Sequence, residues 1–98
     1  MTKTLEQRRA ELALKGALSD CRLQLRAAAV KRGYLCNNFS IGGCEEDRAV
    51  YVSSNLNNVE KGVEQCEGVM KDCGYIWEIV RLKHAYLNVY YSAYKISF

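Results

Sequence analysis

The chain has no proline, one histidine and one tryptophan among 98 residues, and no apolar run of bilayer length. Without proline an all-β domain would lose a common way of setting its turns, whereas long helices lose nothing, so the absence favours helix. A single histidine, His84, excludes a metal site built on two imidazoles. No local signature pairs it with a cysteine for nucleophilic catalysis, and it reads as a solvated residue. A membrane span needs roughly 18 consecutive apolar residues, and nothing here approaches that. The start, Met1-Thr2-Lys3-Thr4, runs straight into charged residues with no apolar h-region, and no prenylation or retention signal is visible. The expectation is a cytoplasmic protein that does not engage a membrane.

What is present is a globular composition, 49% hydrophobic and 26% charged, in one domain spanning 1–98. A chain of this length buries only about 60–65% of its unfolded surface, so its core is modest. The five cysteines are an odd number at irregular spacings, which suits reduced thiols better than a disulfide framework. If any pair were bridged it would be Cys36 and Cys44, which flank a loop. Cys66 and Cys73, seven apart, could offer two metal ligands, but structural zinc needs four and the spacing matches no common motif. They read as small core hydrophobes. No two carboxylates are marked as an acid–base pair, so neither enzyme nor cofactor is expected. Asn38-Phe39-Ser40 matches the glycosylation sequon, but without a secretion signal it reads as unmodified.

Apolar spacing carries most of the information on fold. Thr4-Leu5-Glu6-Gln7 fits a capping box, and Lys31-Arg32-Gly33 fits a helix stop, giving a helix over about 4–32. Leu14, Leu18, Cys21, Leu25 and Ala28 form one stripe on it. Leu12, Gly16, Leu23, Ala27 and Val30 form a second, about a third of a turn away, so this helix wants two partners. Residues 34–43 read as a loop. Val52, Leu56, Val59, Val63, Cys66, Met70 and Cys73 then follow at steps of four and three, a heptad seam, and predict a helix over about 45–73 opened by Glu45, Glu46 and Asp47. Val50 to Ser54 also suits a short strand. From Tyr75 onward propensity reads strand, while Tyr75, Ile79, Leu82, Tyr86, Val89, Ala93 and Ile96 keep a four-three period. With no Gly, Pro or Asn-Gly to turn a hairpin, periodicity predicts a third helix over about 75–96. The fold expected is an all-α three-helix antiparallel bundle. Its alternative is an α+β domain ending in a Tyr-rich β-hairpin.

Charge is unevenly divided. Residues 1–35 carry eight Lys or Arg against three acids, and residues 36–73 carry three against seven. On the bundle reading Arg8, Lys15 and Arg22 would face Glu60 and Glu67 across an antiparallel helix pair. Arg9, Arg26, Lys31 and Arg32 remain as a scattered basic set that would serve a small nucleic-acid-binding or regulatory protein. The other candidate is the aromatic C-terminus, which exceeds what a core requires. Trp77, Arg81, Tyr90, Tyr91 and Tyr94 are the residue types enriched at protein interfaces. The first expectation is therefore a small non-enzymatic interaction module that binds and modulates, as an inhibitor would, a larger host protein or complex. A phage or mobile-element accessory protein acting on a host factor would suit that style. Heptad seams also close by self-association, which leaves room for a homodimer.

Overall fold

A computed structural model describes residues 2–98 as α1 (Leu5–Lys31), a short 3-10 turn (Cys36–Asn38), β1 (Phe39–Cys44), β2 (Ala49–Ser54), α2 (Val59–Cys73), β3 (Glu78–Lys83) and β4 (Tyr90–Ser97). The strands form one antiparallel sheet in the order β1-β2-β4-β3. The first helix begins at the capping box: the Gln7 amide donates to Thr4 Oγ1 at 3.1 Å, and Gln7 Oε1 accepts from the Thr4 amide at 2.9 Å. It stops before Gly33, whose φ of 78° takes the left-handed conformation that glycine tolerates.

The three-helix bundle is not formed, and each departure has a local cause. Residues 39–43, expected in a loop, form β1 together with Cys44, and the strand pairs along its whole length with β2. Glu45, Glu46 and Asp47 do not open a helix but turn the β1–β2 hairpin. The Arg48 amide there donates to Glu45 O at 3.1 Å, and Arg48 itself sits at φ 49°. Asp47 accepts from Tyr51 Oη at 2.6 Å, a bond that holds the carboxylate below its usual range and pushes the tyrosine up to about 12. The heptad seam crosses a real boundary. Ser54 Oγ accepts from the Leu56 amide and Asn58 Oδ1 from the Lys61 amide, both at 3.1 Å, so these polar side chains end β2 and cap α2 instead of continuing one helix. Residues 78–97 form a hairpin because their Ile, Val and Tyr content favours strand, and its six-residue connection, 84–89, needs no Asn-Gly.

Residues directly opposite in an antiparallel pair share a face. Ile41, Val52, Tyr94 and Ile79 therefore form one row across the sheet, with Val50 and Ile96 beside it. This face packs on Leu18, Cys21, Leu25 and Ala29 of α1 and on Cys66, Val69 and Met70 of α2. Helix α1 lies over β1 and β2, and α2 lies beside it over β2. Among the described residues the opposite face of the sheet carries no helix.

The expected row of Arg8, Lys15 and Arg22 against Glu60 and Glu67 is also absent. Lys15 lies 3.9 Å from Glu45, and Glu67 accepts from Tyr94 Oη at 3.2 Å. The helices are tied instead by Arg32, whose Nε and Nη2 donate to the two oxygens of Asp72 at 2.6 and 2.8 Å. Gly68 gives the arginine room, since a Cβ there would stand 2.9 Å from Nη1. The Arg32 bonds hold the Asp72 carboxyl below its ordinary value of 3.8. A depressed folded-state value stabilises the fold above the unfolded value and ceases to do so as pH falls through the folded one. The melting temperature of the natural chain should therefore exceed that of Asp72→Asn at pH 7, with the gap closing from about pH 5 downward. A gap unchanged at pH 2.5 would show that the pair contributes nothing through its charge.

Candidate functional site

The sheet is four strands wide, with strands about 4.8 Å apart, whereas packed helices stand about 8–10 Å apart. Two helices could span that width, but α1 is set over β1 and β2 and α2 over β2, which leaves the β3 edge uncovered among the described residues. The vacancy is a groove of about 380 Å³ whose wall is Leu56, Val59 and Val63 and whose floor is Ile79, Ser92 and Tyr94. Its apolar walls face solvent: Val59 is 76% exposed and Ile79 68%. Ile76, just before β3, is more exposed still. Such a run of exposed valine and isoleucine is what a folded chain normally buries.

Local sequence explains the wall. On α2, Cys66, Val69 and Met70 point into the core, and Val59 and Val63 fall on the adjoining flank one to two turns earlier. Gly62 lets the helix approach Ser54 closely, which brings that flank down beside β4. The floor follows from strand alternation: Arg81 lies opposite Ser92, and Lys83 opposite Tyr90, on the face that holds Ile79 and Tyr94.

The structure distributes the candidate interface residues unequally. Trp77, Arg81, Tyr90 and Tyr94 come to the groove side. Tyr94 is buried, its hydroxyl pushed up to about 12 by burial and the neighbouring Glu67, and Trp77 packs edge-on against it with ring centroids 6.3 Å apart. Of these four only Tyr94 lines the groove; Trp77 lies against the Tyr94 ring, and Arg81 and Tyr90 are exposed outside the lining. Tyr91 lies on the other face of the sheet, in a shallow depression with Tyr51 and Leu82. Sequence reading missed Val59, Val63 and Ile79, the strongest apolar elements of the site, because the heptad seam assigned the two valines to a bundle core.

The remaining candidates separate as well. Arg32 is committed to Asp72, while Arg9, Arg26 and Lys31 are exposed along α1. His84 lies exposed in the β3–β4 connection, its Nδ1 accepting from the Tyr86 amide at 3.2 Å. All five cysteines are free thiols. Burial pushes Cys66 up to about 11 and raises Cys21 and Cys73, so these three are held protonated and act as packing groups. The Cys73 thiol donates to the Gln24 carbonyl at 3.4 Å and packs against the core that holds Cys66. Among the described residues no helix is long and apolar enough to cross a membrane. No protein-family model, curated protein or solved structure matches the chain, so the groove has to be interpreted from its own chemistry.

Proposed function

We propose that the protein is a binding module that captures an amphipathic helix of a larger protein in the groove beside α2 and so modulates that protein. The observation that carries this reading is the groove between α2 and the β3–β4 side of the sheet, which neither helix fills. The floor is apolar at Ile79 and Tyr94 and the flank is apolar at Leu56, Val59 and Val63, while Arg81 and Lys83 lie further along the same face of β3. A helix laid there would bury its apolar stripe on Val59, Val63 and Ile79 and extend its polar side past Arg81 and Tyr90. Action in a reducing compartment such as the cytoplasm is in keeping with five unpaired thiols.

Trp77 is the only tryptophan and packs edge-on against Tyr94 of the groove floor, so its emission should shift when the groove fills. A photo-crosslinking residue at position 79 should yield one discrete adduct with a protein of the native host, and the same residue at position 40, on the open sheet face, should not. Val63→Asp with Ile79→Asp should abolish both the adduct and the shift while changing stability by no more than about 1 kcal/mol, both side chains being exposed. Equal crosslinking from positions 40 and 79, or an adduct that survives the double substitution, would place the binding surface elsewhere.

A further inference from the structure

We infer that the outward face of α1 is a second docking surface and that it takes an acidic amphipathic helix of a partner protein. The second stripe of α1 has no cover. At 100° per residue its centre lies about half a turn from Leu18, Cys21 and Leu25, further than the third of a turn expected, and so points directly away from the core. Leu5, Leu12, Leu23 and Val30 are all exposed by more than 60%, and a Cβ added at Gly16 would meet nothing within 4 Å. No residue from Leu5 to Ala13 is buried, so the first turns of the helix stand clear of the core. A helix segment without tertiary packing is marginal in water, which makes a long apolar stripe on it costly unless something covers it.

The pattern specifies the occupant. Leu5, Arg9, Leu12 and Gly16 step by four, three and four. Ser19, Leu23, Arg26 and Val30 continue the same heptad, giving a continuous seam about 38 Å long at 1.5 Å per residue. The seam is apolar at its ends, small at its middle and basic at two positions. Small residues at Gly16 and Ser19 permit a helix to cross closely there. A second copy fits poorly. Antiparallel pairing centred on the seam sets Arg9 against Arg26, and parallel pairing sets each arginine against itself. One flank adds Arg8, which like Arg9 and Arg26 belongs to no ion pair among the described residues, while the other flank carries Glu6 and Asp20, so the charge that a partner meets is set by the two arginines of the seam and by Arg8 beside them. A phosphate backbone fits poorly too, because four large apolar side chains occupy the centre of the basic field. A helix with leucines at seam positions and Glu or Asp facing the arginines satisfies both features.

The test uses the full chain and two synthetic 26-residue helical peptides with the same leucine seam, one bearing Glu at the positions facing Arg8, Arg9 and Arg26, the other Lys. The Glu peptide should bind at least about tenfold tighter than the Lys peptide, and its affinity should fall as salt is raised. Leu12→Glu with Leu23→Glu should abolish binding without altering the melting temperature. Arg9→Glu with Arg26→Glu should reverse the preference toward the Lys peptide. Because Val63→Asp with Ile79→Asp leaves α1 untouched, this interaction should persist in that variant. Equal binding of the two peptides would overturn the proposal, as would no binding of either. A natural chain that sediments as a dimer and becomes monomeric on Leu12→Glu with Leu23→Glu would show instead that the face pairs with a second copy. Displacement of the Glu peptide by duplex DNA at equal concentration would assign the arginines to nucleic acid.

Discussion

Leu25→Ala should lower the unfolding free energy by about 2–5 kcal/mol, the range for truncating a buried leucine whose surroundings cannot collapse into the space. Leu25 is fully buried in the core that α1 shares with Cys66 and Met70 of α2, Val52 of β2 and Ile96 of β4. Those neighbours belong to three separate elements held by strand pairing and by the Arg32–Asp72 link, so a void left there cannot be closed by moving one of them. A domain of this length has only about 5–15 kcal/mol of stability in total, so the loss is a large part of it. Urea unfolding would measure the effect as a lower midpoint with an unchanged slope. The informative control is two residues away: Leu23→Ala, on the uncovered stripe, should change stability by about 0.5 kcal/mol or less. If both substitutions cost the same, the assignment of one α1 stripe to the core and the other to solvent is wrong.

That contrast also shows how far the sequence could be read. The first helix was legible to within a residue or two because its signals are local: the Thr4–Gln7 box, the four-three stripe through Leu18 and Leu25, and the Gly33 stop. The second stripe was equally legible, but reading it as a demand for cover within the chain turned the C-terminal segment into a third helix. Periodicity misled at Val52–Cys73 as well. Spacings of four and three ran through a strand, a polar connection and a helix, and Ser54, Asn55, Asn57 and Asn58 marked the break. Turn chemistry decided there, and intrinsic strand propensity decided in the Tyr-rich hairpin. Of the interface candidates, Trp77, Arg81, Tyr90 and Tyr94 do share one face, but only the antiparallel register shows this, since that register brings Ile79 opposite Tyr94. The groove itself depends on which strand pairs with which. No single stretch of sequence records that β4 inserts between β2 and β3.

Gly62→Ala should be the other strongly destabilising change, by about 1–3 kcal/mol, and its cause is overpacking rather than a void. Alanine is the better helix former by about 1 kcal/mol, so at an unconstrained position in α2 the substitution would stabilise. Gly62 is not unconstrained: a Cβ there would stand 2.5 Å from Ser54 Oγ and 2.8 Å from Ser54 Cβ, distances at which the helix or the end of β2 must move. The serine cannot turn away freely, because its Oγ accepts from the Leu56 amide and holds the connection into α2. Displacing α2 would also lift Val59 and Val63 from the floor formed by Ile79 and Tyr94, so stability and groove shape should change together. Ser54→Gly alone should cost about 0.5–1.5 kcal/mol through the lost hydrogen bond. Combined with Gly62→Ala it removes both clashing atoms, and the double variant should be more stable than the Gly62→Ala single. Chemical unfolding of the four proteins gives the coupling as a double-mutant cycle. A coupling of at least about 1 kcal/mol in the restoring direction would identify the Gly62–Ser54 contact as what seats α2 on the sheet. Simple additivity would mean that α2 is positioned by its core residues alone, and that the groove beside it keeps its width for a different reason.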